Sequence, residues 1–278
     1  RYSTHLYTET DRSPLKVAPV APVYEEEPER VTGREVIRDN FDLGCRYPFK
    51  YLGDLVRDIA QKEEVPESCI VVTGGSTEGL KAAGLVYGLA GGEIVAADPT
   101  FQALLRYAEY FGGYVHRVPL DDTLTHDLEA MERRITGKTR LVFLCNPNNP
   151  SGTLLEPGKL RDFCASVTER AVVFSDEAYY DYITEPDYPS MVELVREDYN
   201  VIVSKTFSKV YGLAGMRLGY LIARPDIARR LRQALFNLLV NTVDSLRDAP
   251  GDAPHVEGSQ RQLRAGLADG LRRDDADR

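Results

Sequence analysis

Lys209 has the strongest claim to covalent chemistry. It stands in Ser204-Lys205-Thr206-Phe207-Ser208-Lys209-Val210-Tyr211-Gly212-Leu213-Ala214-Gly215-Met216-Arg217-Leu218-Gly219-Tyr220. Short apolar runs on either side, Val201 to Val203 and Leu218 to Ala223, read as strands. A lysine on a strand-end turn is expected to be partly desolvated, which favours the neutral amine that attacks carbonyls. Thr206 and Ser208 before it, and Arg217 eight positions after it, offer hydroxyl and guanidinium donors for a phosphate dianion. An aldehyde and a phosphate on one small ring would engage both sets of groups, and that ring is pyridoxal 5′-phosphate. Taken alone, a lysine near a strand end is more often a solvated surface charge.

Four other stretches carry residue types that such a ring needs, and each has a plainer reading beside it. Gly75-Ser76-Thr77 can present backbone amides to an anion at a helix start, or can be an ordinary cap. Phe101, in Pro99-Thr100-Phe101, can stack on a flat ring or can be core. Asn146-Pro147-Asn148-Asn149-Pro150-Ser151-Gly152 is a rigid turn able to present one amide, with Asn149 as donor to a phenolate oxygen. Asp176 ends an apolar run, where a carboxylate is costly unless paired; a protonated pyridine nitrogen would pair it. Tyr179 then shares the phenolate oxygen with Asn149. An isolated Asp at this place would otherwise be read as a turn cap.

These residues need a scaffold, and the chain supplies a regular alternation. A first amphipathic helix covers Tyr51 to Ala60. Strands are expected at Cys69 to Val72, Ile94 to Ala97, Tyr114 to Leu120, Leu141 to Leu144 and Ala171 to Phe174. Helices are expected from the Gly75 turn to Leu89, over Phe101 to Phe111, Leu128 to Ile135 and Leu160 to Val167. Such alternation implies an α/β fold with a mostly parallel sheet covered on both faces. Sites in these sheets gather at the carboxyl ends of strands, where every stretch above falls.

Composition excludes several other classes. The 278 residues are 43% hydrophobic and 28% charged, an ordinary globular balance. A net charge of −9 argues against a nucleic-acid-binding surface. No apolar run approaches the roughly 20 residues of a membrane-spanning helix. Four cysteines form no close pair, and Cys69 and Cys145 sit in apolar runs as small hydrophobes; four histidines show no metal-ligand spacing. Neither a metal site nor a disulfide framework is expected.

In order, the motifs are G-G-S-T, P-T-F, N-P-N-N-P-S-G, D-E-A-Y and S-K-x-x-G-L-A-G-x-R-x-G. Together they resemble the fold type I, pyridoxal-phosphate-dependent aminotransferases of class I/II, most of all the histidinol-phosphate aminotransferase branch, over about residues 46–235. The resemblance implies a three-layer α/β/α large domain and transfer of an amino group, by ping-pong chemistry, between an amino acid or amino-acid-like phosphate and a 2-oxo acid. It implies that Lys209 bonds the cofactor covalently and then shuttles a proton. Asp176 would pair with the ring nitrogen, Asn149 and Tyr179 with the phenolate oxygen, and Phe101 would stack on the ring. Gly75, Ser76, Thr206, Ser208 and Arg217 would hold the phosphate, with the Thr77 backbone beside them. Tyr47, in Arg46-Tyr47-Pro48, would reach the phosphate of a neighbouring subunit, because the family's site forms across a dimer interface, so a homodimer with a shared active site is expected; a cytoplasmic location is expected as well.

Some of the family pattern is not found. Arg38-Asp39-Asn40-Phe41-Asp42 is a poor substitute for the Asn-Glu-Asn-Pro-type segment that lines the family's substrate pocket. Arg261, Arg264, Arg272 and Arg273 stand in no motif matching the family's carboxylate-binding arginine. The expected organisation is an N-terminal arm at 1–44, partly extended, with Glu25 to Arg30 solvated; a cofactor-binding large domain at 45–240; and a divergent or disordered tail at 241–278, the small C-terminal domain being truncated or altered. Two alternatives share the cofactor motifs: a decarboxylase of a phosphorylated amino acid, and a silent cofactor-binding remnant. A dinucleotide-binding oxidoreductase is set aside because G-x-G-x-x-G is missing after the first strand.

Overall fold

The computed structural model of the protein describes residues 33–45 and 49–247. Tyr47 and the run Glu25 to Arg30 lie outside the described residues. The chain divides into two units, residues 1–49 and 50–278. In the first, within the stretch read as an arm, α1 (Gly33–Asp39) is followed by a 3-10 turn at Phe41–Cys45. Asn40 closes α1 by donating its side-chain amide to the Val36 carbonyl at 2.9 Å.

The second unit is a sheet between two coats of helices. In chain order come α2 (Phe49–Lys62), β1 (Ile70–Thr73), α3 (Ser76–Gly88), β2 (Glu93–Asp98), α4 (Ala103–Tyr110), β3 (Tyr114–Pro119) and α5 (Leu128–Arg133). They are followed by β4 (Thr139–Cys145), α6 (Pro157–Val167), β5 (Val172–Asp176), α7 (Val192–Arg196), β6 (Val201–Thr206), β7 (Gly219–Ala223) and α8 (Pro225–Arg247). The helix α8 continues past residue 240 to Arg247. No helix among the described residues is long and apolar enough to cross a membrane.

The strands lie in the order β1-β7-β6-β5-β4-β2-β3. Neighbours from β3 to β6 pair in parallel, whereas β7 runs antiparallel to both β1 and β6. The sheet is therefore mostly parallel, as the alternation of elements implied, and the reversal of β7 matters for the site.

Side chains alternate across the sheet with the period of two that strands impose. Val95, Val142, Leu144, Val173, Val201, Val203 and Ile222 pack on one face with α2, α5, α6 and α7 through Ile59, Met131, Leu160, Phe163 and Leu194. Ile94, Leu141, Phe143, Phe174, Ile202 and Leu221 pack on the other with α3, α4 and α8 through Leu80, Leu85, Leu104, Leu105 and Leu231. Both faces are covered, so strands read as near-continuous apolar runs rather than alternating ones. The parity also sorts polar residues at the strand ends. Cys145, Asp176, Ser204 and Thr206 share the α3 face, while Glu177 and Lys205 turn to the opposite face.

Candidate active site

The parallel strands β1, β4, β5 and β6 deliver their carboxyl ends to one edge, with the motif stretches following directly. Arg217 arrives by a different route. It precedes β7, and because β7 is antiparallel, its start at Gly219 lies beside Thr73 and Thr206, the ends of β1 and β6. A cavity of about 230 Å³ opens there. Ten of the residues singled out from sequence line it: Ser76, Thr77, Phe101, Asn149, Asp176 and Tyr179, then Thr206, Ser208, Lys209 and Arg217. Gly75 is not among the lining residues; it caps α3 immediately before Ser76. Tyr47 is outside the described residues.

One end of the cavity is built for an anion. Gly75 caps α3 with φ +82°, a conformation that favours glycine, leaving the first amides of α3 at the cavity. Glu78, at the third position of α3, accepts from the Gly74 amide at 2.6 Å and fixes the turn. Arg217 lies across it, its Nη2 donating to the Gly74 carbonyl at 3.2 Å and its Nη1 to the Ala214 carbonyl at 3.0 Å. A Cβ on Gly75 would fall 2.4 Å from Arg217 Nη2, and one on Gly219 would fall 2.6 Å from the Ser76 amide. Two glycines thus let the turn, the guanidinium and β7 close on one another. Thr206 completes this end, its Oγ1 accepting from the Ser208 amide at 3.1 Å.

The other end holds a carboxylate. Asp176 is 2% exposed, and its Oδ1 has no hydrogen-bond partner. Burial pushes its carboxyl up to about 7; the Ala178 amide, the Ser204 hydroxyl and the Lys209 charge pull it down, while the Glu177 charge adds to the rise. Asn149 donates its amide to the Tyr179 hydroxyl at 3.3 Å, so the two residues read as sharing one oxygen do meet. The other two asparagines of the turn are structural. Asn146 donates to the Tyr188 hydroxyl at 2.7 Å and accepts from the Leu155 amide at 2.9 Å. Asn148 accepts from the Thr100 hydroxyl at 2.8 Å and donates to the Pro99 carbonyl at 3.2 Å, tying two strand-end loops together.

Lys209 departs from one expectation. It lies three residues beyond β6 and is exposed rather than partly desolvated, because a turn and not the strand itself carries it. Its Nζ sits 4.8 Å from the centroid of the Tyr179 ring, a cation–π contact that keeps the amine over the cavity. Three lining residues were not singled out from sequence: Cys145, Ala178 and Ala214. Cys145 was read as a small buried hydrophobe, which it is, and it also forms part of the cavity wall. Only the pairing of Cys145 with Asp176 in register would have pointed to it.

A buried carboxylate, a nearby amine and a phosphate-sized nest of donors at one strand edge place this chain among known proteins. The sequence pattern of "Aminotransferase class I and II" matches residues 49–247. The chain belongs to this family. A histidinol-phosphate aminotransferase of Moorella thermoacetica is 40% identical over 232 residues, covering 82% of this chain and 60% of that protein. An aromatic amino acid aminotransferase of Thermobifida fusca is 38% identical, covering 75% of this chain and 58% of that protein. Among solved structures, histidinol-phosphate aminotransferase from Sinorhizobium meliloti in complex with pyridoxal 5′-phosphate superposes with a TM-score of 0.66 at 24% identity, covering 86% of this chain and 61% of that one, a likeness of fold. The chain spans about three fifths of the length of the curated relatives it matches.

Proposed function

We propose that this protein is a pyridoxal-phosphate-dependent aminotransferase. It would move an amino group between an amino acid or amino-acid-like phosphate, of the histidinol-phosphate type, and a 2-oxo acid. The observation that carries the reading is Asp176, a sealed carboxylate facing the cavity with one oxygen unpartnered. Buried charges of this kind need a cation or a proton donor. The residues fit pyridoxal phosphate end to end: a donor nest for the phosphate, Asp176 for the ring nitrogen, and Lys209 for the aldehyde.

When bound, pyridoxal phosphate supplies the electron sink that stabilises negative charge at the substrate Cα. The chain's own residues do the rest. Asp176 holds a proton on the ring nitrogen. Asn149 Nδ2 and the Tyr179 hydroxyl hold the phenolic oxygen, and Phe101 covers the ring. Gly75, Ser76 and Thr77 offer α3 amides to the phosphate, Thr206 and Ser208 offer hydroxyls, and Arg217 offers its guanidinium. Lys209 Nζ holds the cofactor and, once released, carries a proton as the general base.

The names of the relatives support the substrate class. On the same reading, residues 45–240 form the cofactor domain between the arm at 1–44 and the tail at 241–278. We also propose a homodimer in which Tyr47 reaches the partner's phosphate, testable by sedimentation. A cytoplasmic location agrees with free thiols at Cys69, Cys145 and Cys164.

Adding pyridoxal phosphate to the purified protein is expected to produce a visible absorption band that fades when histidinol phosphate or an aromatic amino acid is added. No band would contradict the reading, and carbon dioxide release would turn it into a decarboxylase. Gly75→Ala should weaken cofactor affinity at least about tenfold, because a non-glycine residue at φ +82° and ψ 160° costs roughly 1–3 kcal/mol, which the turn would relieve by moving the amides it presents. The added methyl would also displace Arg217. Unchanged affinity in a folded Gly75→Ala protein would remove the phosphate assignment.

A further inference from the structure

Asp176 stands in a row of register neighbours across the sheet. Cys145 on β4 and Ser204 on β6 flank it, and Leu221 on β7 lies beyond Ser204. Neighbouring strands run about 4.8 Å apart, so both flanking side chains, which share its face, come close to its carboxylate. Cys145 Sγ is already engaged, donating to the Pro147 carbonyl at 3.5 Å. Ser204 is 0% exposed, and its hydroxyl has no hydrogen-bond partner. It is near enough to favour the ionised carboxyl of Asp176, whose Oδ1 is likewise sealed and unpartnered. A donor and an acceptor, both shut away from water, thus stand side by side with neither engaged. Such groups are costly to leave unpaired, and Leu221 offers Ser204 no polar atom on its other side. Ser175 Oγ is also buried without a partner, but its place on β5 turns it to the opposite face with Val173.

We propose that Ser204 is a positioning residue: its hydroxyl donates to the Asp176 carboxylate and fixes the orientation in which that group meets the ring nitrogen. A serine hydroxyl is free to rotate toward the acceptor beside it. One neutral hydroxyl does not neutralise a buried charge, so the carboxylate still requires a cation. A donor to the ionised form also weakens the carboxyl's hold on a proton. The proton is then left on the ring nitrogen, which is where the electron sink needs it. That consequence rests on the cofactor reading above; the bond itself does not.

The other groups that bear on Asp176 are Lys209 from the turn after β6, Glu177 behind the strand end, the Ala178 amide and Cys145 from β4. A substitution at 204 leaves all four in place, so it reports on the hydroxyl.

A carboxyl carbon-13 NMR titration of the full chain without cofactor tests the bond, with the Asp176 signal assigned by its loss in Asp176→Asn. Ser204→Ala is expected to raise the Asp176 midpoint by about one pH unit. Ser204→Thr, which keeps a hydroxyl, should return it to near the wild-type value. A midpoint in folded Ser204→Ala that matches wild type, or falls, would overturn the proposal. So would a midpoint raised equally in Ser204→Thr, because packing at 204 and not the hydroxyl would then set it. In a second arm, pyridoxal phosphate should bind Ser204→Ala roughly three- to tenfold more weakly than wild type, with Ser204→Thr restored. Unchanged affinity in Ser204→Ala would overturn the positioning role. No binding by wild type, with the midpoints as expected, would uphold the bond and sink the cofactor reading instead.

Discussion

Asp176→Asn is expected to give a more heat-stable cofactor-free protein that has lost transamination. The carboxylate is sealed at the cavity wall with Oδ1 unpartnered, and burial lifts it from its ordinary value of 3.8 to about 7. A group that binds its proton more tightly when folded stabilises the protonated native state, so its ionisation is a cost that appears as pH rises. The cost is absent below about pH 4, grows between pH 4 and 7, and is complete above 7. It amounts to on the order of 4 kcal/mol. The neutral amide removes it, so the melting temperature should rise by several degrees at pH 8 and stay unchanged near pH 4. Turnover should fall by about 100-fold or more, since an amide cannot hold a charged ring nitrogen. Thermal melts across this pH range decide the matter. A variant less stable than wild type at pH 8 would mean that Asp176 is already well paired.

Lys209→Ala should keep the fold and lose activity by roughly a thousandfold or more, because it removes both the amine that holds the cofactor and the proton carrier. The side chain is exposed in a turn and contributes no buried packing, so circular dichroism and melting temperature should scarcely change. Lys205→Ala, four residues earlier, should behave in the opposite sense. It would leave Glu63 and Glu177 without their shared cation, which for a broken buried ion pair costs about 3–5 kcal/mol. Loss of turnover without loss of stability at 209, against loss of stability at 205, separates the chemical lysine from the structural one. If both variants simply unfolded, the exposed position of Lys209 would be wrong.

Much of this arrangement was legible in the sequence because strand ends in a parallel sheet are punctuated by the loops that carry chemistry. Gly75, Phe101, Asn149 and Asp176 each follow an apolar run long enough to recognise, and the order of the runs fixes the edge they share. What was hidden depended on direction and parity. Arg217 reaches the site only because β7 runs backward, and nothing in Leu218 to Ala223 states which way that strand points. The two lysines of Ser204-Lys205-Thr206-Phe207-Ser208-Lys209 look alike until the sheet sends Lys205 to the back and the turn lifts Lys209 over Tyr179. The same parity separates Glu177 from Asp176. Asn146 and Asn148 also resembled Asn149 in kind, and only their hydrogen bonds show that they build the loop which presents it. Partial desolvation of Lys209 was expected from its nearness to a strand, but it stands three residues past the end of β6, in a turn that carries it into solvent.

The most direct test of the cofactor site is borohydride reduction of the protein with pyridoxal phosphate, followed by peptide mapping of the labelled lysine. Reduction fixes the cofactor wherever an amine has condensed with its aldehyde. The account predicts one labelled peptide, carrying Lys209, and its disappearance in Lys209→Ala. Label on Lys205, or label spread over surface lysines with Lys209 unmodified, would contradict it.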